Sequence, residues 1–185
     1  MHLLPMASEP FTAPTDRDML PSERREFVRT HRTCVFGYRR KVDGPAMSIV
    51  YYIPTDTDEL LVSTIAGRGK ARMVARDGKV SLCVLDERWP FAYLQVYADA
   101  VVETDPDLVV DVMMAVAGRM SGNPLPEEAR PLVQQMAIDE NRVLIRCRPY
   151  ETFAQPPRHL HRNDQDEQIT HWVSGTVAWN APDPT

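Results

Sequence analysis

Short β-type segments follow one another along this chain with few helical stretches between them, and that spacing limits the folds it can reach more than any other feature. Cys34–Lys41 alternates apolar and polar positions, Asp43-Gly44 supplies a turn, and Ala46–Ile53 is a second β-rich run. A turn at Thr55–Asp58 leads to a third strand, Glu59–Thr64. Val80–Leu85, Phe91–Val102 and Arg142–Arg148 bring the total to six strands, mostly within hairpin distance of a neighbour. Parallel strands need long crossovers, usually helical, so a doubly wound sheet is disfavoured. The pattern predicts a mainly β, α+β fold, a six-stranded antiparallel barrel with helices at its edges.

The helical segments are peripheral by length. Pro21-Ser22 opens one, with Glu23 in its first turn and Phe27 and Val28 on its apolar face. Residues 67–76 form a short amphipathic helix, Ala71, Val74 and Ala75 inward, closed by Asp77-Gly78. Asp105-Pro106 opens a longer helix to Met120, where Leu108, Val109, Val112, Met113 and Val116 recur at helical spacing. Gly122-Asn123-Pro124 breaks it, and Glu127–Ile138 is a further helix. Residues 1–20 are proline-rich and polar, a flexible N-terminal arm; 21–155 form the folded domain. Residues 156–185 are a polar C-terminal tail in which Trp172, Val173 and Trp179 offer local docking points.

Charge and cysteine usage narrow the function. A net charge of -5 argues against a general nucleic-acid binder, so a local basic patch points to a defined anionic ligand. Cys34, Cys83 and Cys147 are odd in number and far apart, the usage expected of reduced thiols in a cytoplasmic protein. No apolar run approaches the roughly 18 residues of a spanning helix, and the N-terminus does not read as a signal peptide; no membrane partner is expected. His159, His161 and His171, with Asp164 and Asp166 nearby, sit in a stretch of low core content, and no metal site is assigned to them. Asp99 and Glu103 share one strand face, which reads as exposed or interfacial.

The stretch that carries chemistry runs from Val62 to Arg76. Ser63 and Thr64 end a strand, a glycine-bracketed basic turn follows (Gly67-Arg68-Gly69-Lys70), and Arg72 and Arg76 continue the cationic run into a helix. Backbone N–H groups, the helix dipole and cationic side chains converge at such a point and suit a phosphate. Without an anion, cations there oppose the dipole and the run is a solvated basic face; strand-end hydroxyls beside it favour the ligand.

The order of these pieces resembles the split-barrel flavin and deazaflavin oxidoreductases, the pyridoxamine 5'-phosphate oxidase-like family, over Pro21 to Tyr150. Val62-Ser63-Thr64 followed by Arg68-Gly69-Lys70 looks like its phosphate-binding pair. Lys79–Asp86 resembles the next family strand, and Leu94–Ala100 the strand whose glutamine, here Gln95, reaches the cofactor from the partner subunit. The run Gly67–Arg72 is similar to the branch that uses the deazaflavin F420, whose phosphate and oligoglutamate tail would use the surplus cations. Leu94 and Tyr97 stand where pyridoxamine-phosphate oxidases often carry arginine, and the C-terminal Arg-x-His signature is not evident at Arg158-His159 or His161-Arg162, which disfavours that oxidase activity.

The resemblance implies an FMN-binding-like split barrel acting as a homodimer, with cofactor sites at the subunit interface. Ser48, Val50, Tyr51, Ser63, Thr64, Arg68, Lys70, Ala71, Arg72 and Gln95 are the cofactor-binding candidates. Only one of Tyr51 and Tyr52 can approach the ring, because they alternate faces. Trp89, Phe91 and Tyr93 form an aromatic row that packs a core or dimer or walls the substrate pocket, with Trp89 and Tyr93 as pocket candidates. The implied activity is F420-dependent hydride transfer with a hydrophobic conjugated small molecule. The alternatives are an FMN flavoprotein and a non-catalytic cofactor- or tetrapyrrole-binding protein. The chemistry belongs mostly to the cofactor; no acid or base is assigned, and the proton donor is a tyrosine or water.

Overall fold

The computed structural model describes residues 1–14, 17–88, 91–155 and 175–185. Its helices are α1 (Pro21–Thr30), α2 (Gly69–Asp77), α3 (Pro106–Ser121) and α4 (Arg130–Asp139). Its strands are β1 (Thr33–Tyr38), β2 (Ala46–Tyr51), β3 (Ile53–Pro54), β4 (Leu60–Ile65), β5 (Lys79–Asp86), β6 (Ala92–Glu103), β7 (Arg142–Gln155) and β8 (Thr176–Ala178). They form one antiparallel sheet in the order β2-β1-β5-β6-β7-β4-β3, with β8 added to β7. The expected mainly β barrel with edge helices is present, with eight strands among the described residues rather than six.

The two additional strands have different origins. The run Ala46–Ile53 expected as one strand divides at Tyr52: β2 pairs with β1, whereas Ile53 and Pro54 pair with Leu61 and Leu60 of β4. The chain thereby joins the two ends of the strand order, and β2 approaches β4 to close the barrel. Tyr52 is fully buried at this corner, its Oη donating to Val28 O at 2.6 Å and its N–H to Arg32 O at 3.3 Å. The other addition, β8, pairs Thr176–Ala178 with Glu151–Phe153; beyond it Trp179 is buried and Arg25 donates to its carbonyl at 2.7 Å.

β7 is twice the length expected, because it continues through Pro149. Proline cannot donate to a ladder and is tolerated at bulges. Here Ala98 pairs with Pro149 and Tyr97 with Glu151, so Tyr150 is the extra residue of a bulge. The expected helix Glu127–Ile138 is a 3-10 turn at Glu127–Ala129 followed by α4. Pro131 explains the break, since its ring fits only the first turn of an α-helix.

Caps agree with the sequence elsewhere. Asp105 accepts from the N–H groups of Asp107 and Leu108 at 3.0 and 3.2 Å to open α3. Gly78 closes α2 in the left-handed region (φ 68°), where a side chain would also press on Ala100 O.

The interior divides at the sheet. Phe27, Phe36, Tyr52, Val62, Leu82, Leu94, Val96 and Ile145 fill the barrel. On the outside of β3, β4 and β7, Ile53, Leu61 and Leu144 pack against Val109 and Val112 of α3 and Val133 of α4. Leu60, Leu61 and Val62 are buried consecutively because both faces of β4 are covered. Residues 2–4 lie along β3: Leu4 N–H donates to Pro54 O and Asp56 N–H to His2 O, each at 2.9 Å. No helix among the described residues is long and apolar enough to cross a membrane.

At the end of α1, His31 stacks on Phe27 and its Nδ1 lies 2.7 Å from Phe27 O, so Nδ1 carries the proton. Nε2 faces Asp86 at 3.5 Å, and Asp86 is bound by Arg88. Burial lowers the His31 pKa below its ordinary 6.5 despite the Asp86 carboxylate. The unfolded chain then takes up this proton first as pH falls, so the contribution is complete above about 6.5 and is lost below it. His31→Gln should therefore flatten the fall in melting temperature between about pH 7 and pH 5.5; parallel wild-type and variant profiles would contradict this account.

Candidate functional site

The basic turn sits where the sequence order requires it, between the end of β4 and the start of α2. Arg68 is the N-cap of α2 and contributes no side-chain cap. Its own N–H is used by Ile65 O, and the first helical bond is Arg72 N–H to Arg68 O at 3.2 Å. The N–H groups of Gly69, Lys70 and Ala71 belong to the first turn, where a helix supplies no partners of its own. They make an anion-seeking end, and Gly69 lets the tyrosine Oη of Tyr38 lie 3.1 Å from where a Cβ would stand.

A pocket of about 310 Å³ opens at this end. Val50 and Tyr51 of β2, Ser63 and Thr64 of β4, and Arg68 and Lys70 line it together. Ser63 Oγ and Thr64 Oγ1 are buried without a hydrogen-bond partner among the described residues, a cost unless a ligand bonds them. Lys70 Nζ donates to Ser48 Oγ at 2.9 Å and lies 5.7 Å from the Phe36 ring centroid. Burial, and next the Arg68 charge, lower its pKa from the usual lysine range. Arg68 makes no ion pair among the described residues. Two neighbouring cations at an uncapped helix start repel each other and the dipole; a phosphate between them reverses both terms and meets the strand-end hydroxyls. The residues present fit a phosphate-bearing group.

Other sequence candidates fall elsewhere. Ala71 is buried in the core and offers a ligand only its backbone. Arg72 is exposed outside the pocket lining, and Arg76 reaches Arg39 O at 3.2 Å. Gln95 lies mid-sheet between Cys83 and Phe153, away from this pocket on the same chain. Of the aromatic row, Phe91 and Tyr93 are neighbours with ring centroids 6.4 Å apart, while Trp89 lies outside the described residues. The three histidines weighed as metal ligands also lie outside them; among the described residues no cluster of three potential metal ligands occurs.

Sequence reasoning missed one wall. Met113, Val116, Ala117 and Met120 of α3 line the pocket, as does Arg142, whose charge is spent on Glu140 at 2.5 Å. The apolar stripe of α3 was legible; that part of it faces a pocket rather than the core was not. Ile49 and Met120 at the pocket are 78% and 64% exposed, an apolar rim open to further cover.

The pattern of the pyridoxamine 5'-phosphate oxidase family matches residues 20–155. None of the curated proteins matches the chain. Among solved structures, the conserved hypothetical protein Rv2991 from Mycobacterium tuberculosis is similar over 80% of this chain and 91% of its own, at 25% identity and a TM-score of 0.67. An F420 reductase is similar over 65% of this chain and 88% of its own, at 20% identity and a TM-score of 0.50. A heme binding protein from Mycobacterium smegmatis is similar over 88% of this chain and 59% of its own, at 12% identity and a TM-score of 0.58. The last two are likenesses of fold alone.

Proposed function

The chain belongs to the pyridoxamine 5'-phosphate oxidase family, and on that footing we propose that it is an F420-dependent oxidoreductase acting on a hydrophobic conjugated small molecule. The family fold binds flavins such as FMN. One observation carries the reading: Ser63 and Thr64, whose buried hydroxyls have no partner among the described residues, line a single pocket together with two cations, the open start of α2 and Tyr51.

In this reading the N–H groups of Gly69, Lys70 and Ala71 bind the phosphate, with Arg68, Lys70, Ser63 and Thr64. Ser48 holds Lys70 in position. Val50 and Tyr51 orient the ring, and the α3 residues exclude water from it. Bound, the reduced deazaflavin supplies a hydride, and the protein's part is placement. F420 is favoured over FMN because exposed Arg72, outside the pocket lining, extends the positive charge beyond what one phosphate uses; Arg76 is engaged by Asp77 at 3.9 Å and Arg39 O. The pocket is at the lower end of the roughly 300–1,000 Å³ usual for ligands, and its rim carries exposed Ile49 and Met120. A second copy of the chain covering that rim, bringing its Gln95, completes the site in a homodimer.

Fluorescence titration of the purified protein with F420 and with FMN should give micromolar or tighter binding, tighter for F420. Preference for FMN would return the chain to the flavoprotein alternative, binding of neither would end the cofactor reading, and a Soret band in the purified protein would favour a tetrapyrrole binder. Lys70→Ala should weaken the preferred cofactor at least about tenfold, ~1.4 kcal/mol; unchanged affinity would move the phosphate elsewhere. Sedimentation should find a dimer, and a monomer holding cofactor at full affinity would refute the shared site.

A further inference from the structure

We infer that a second pocket, which shares Tyr51 and Met120 with the first as lining residues, binds an apolar carboxylate through Arg119, and that this is the class of substrate the enzyme takes. The substrate assignment rests on the cofactor reading of the first pocket; the carboxylate site does not.

This second pocket has a volume of about 630 Å³ and lies under the N-terminal arm, between the α1–β1 junction, the end of β5 and the end of α3. Tyr51 and Met120 line both pockets, so a ligand here reaches the wall against which the cofactor ring is placed. Met6, Pro10 and Leu85 add apolar surface.

Its distinctive group is Arg119, only 3% exposed. It donates to His31 O at 3.3 Å and Leu4 O at 3.5 Å, both long, and has no acidic partner among the described residues. A guanidinium carries five donors in a rigid fork, so most of its capacity is unspent. Arg24, equally buried, shows the contrast: it reaches Met19 O, Thr152 O, Thr152 Oγ1 and Gly175 O. A buried guanidinium is normally paired, whereas the hydrogen bonds of Arg119 among the described residues go to carbonyl oxygens. Burial accordingly lowers its pKa.

The surrounding charges select the ligand. Arg88 is committed to Asp86, donating through Nε at 2.9 Å and Nη2 at 2.6 Å. Arg32 is exposed at the rim and unpaired among the described residues, and exposed Glu87 opposes it. Among the lining residues three guanidinium groups face two carboxylates, with His31 neutral; exposed Glu9 beside the lining adds a negative charge near Arg88, so the positive charge that is left open is local to Arg119 and Arg32. That balance suits a monoanion and disfavours a phosphate dianion, which would also meet Asp86 and Glu87. The fork of Arg119 matches a planar carboxylate, and the apolar walls match a hydrocarbon or aromatic remainder.

The test is calorimetric titration of the whole protein with trans-cinnamate and with its uncharged analogue cinnamamide. Cinnamate should bind at least about tenfold more tightly than the amide, ~1.4 kcal/mol; equal affinities would overturn the proposal. Arg119→Lys keeps the charge and removes the fork, and should lower cinnamate affinity about tenfold. Should that variant fail to fold, Arg32→Ala at the exposed rim should still cost a factor of about three. Unchanged affinity in the folded variant tested would overturn the assignment. Protein saturated with whichever of F420 or FMN it binds should keep or gain cinnamate affinity; competition would put the carboxylate in the phosphate pocket instead and overturn it. Uptake of F420 without cinnamate would refute this site and leave the cofactor reading standing. Cinnamate binding with neither cofactor would support the carboxylate site and refute the cofactor reading, and with it the substrate role.

Discussion

The buried corner at Tyr52 is the constraint on which the rest of the structure depends. Before it the chain pairs with β1; after it the chain pairs with β4, at the opposite end of the strand order. The Tyr52 hydroxyl holds this change of partner by donating to Val28 O, which ties the corner to α1. Because side chains alternate along a strand, burying Tyr52 turns Tyr51 to the other face. There it lines the first pocket with Ser63 and Thr64 of β4 and also lines the second. Closure of the barrel also sets Tyr51 as a wall of the pockets.

Charge is handled in two ways across the molecule. At the surface of β4, β6 and β7, Arg146 lies between Glu59 and Glu103 at 2.7 and 3.1 Å, and Arg148 joins Glu59. Burial alone would raise the Glu59 pKa, but these two arginines outweigh it and hold it below the ordinary value. Such compensated groups stiffen the sheet and attract nothing. Near the pockets the balance is left open: Arg68 beside Lys70 at the start of α2, and Arg119 under the N-terminal arm, have no acid among the described residues. An uncompensated charge in a concave, partly apolar place is costly on its own and becomes favourable with an anion, which is why both pockets read as ligand sites.

Much of the fold was legible because its signals are local. Asp105-Pro106 caps α3, Gly78 ends α2, and alternation marks β1, β5 and β6. What escaped depends on partners distant in sequence. Pro149 argues against a continuing strand unless a bulge with Tyr97 and Ala98 accommodates it. Ala46–Ile53 looks like one strand because nothing local records that Ile53 changes partner. The α3 wall of the first pocket was hidden for the same reason: an apolar stripe looks alike whether it faces a core or a cleft.

The sequence by itself determined the composition of the phosphate pattern: strand-end hydroxyls, a basic glycine turn, and a helix start, within a span short enough for chain connectivity to bring them together. It also set the strand-rich, hairpin-linked class, since those signals lie within a few residues of one another. Only the tertiary structure showed Tyr52 buried in the barrel while Tyr51, the sequence candidate, lines the pocket, and that Ser48 holds Lys70. It alone also brought Arg119 beside His31, a pairing 88 residues apart in the chain. Those outcomes rest on barrel closure and on burial, and burial is a property of the assembled interior that no short segment carries.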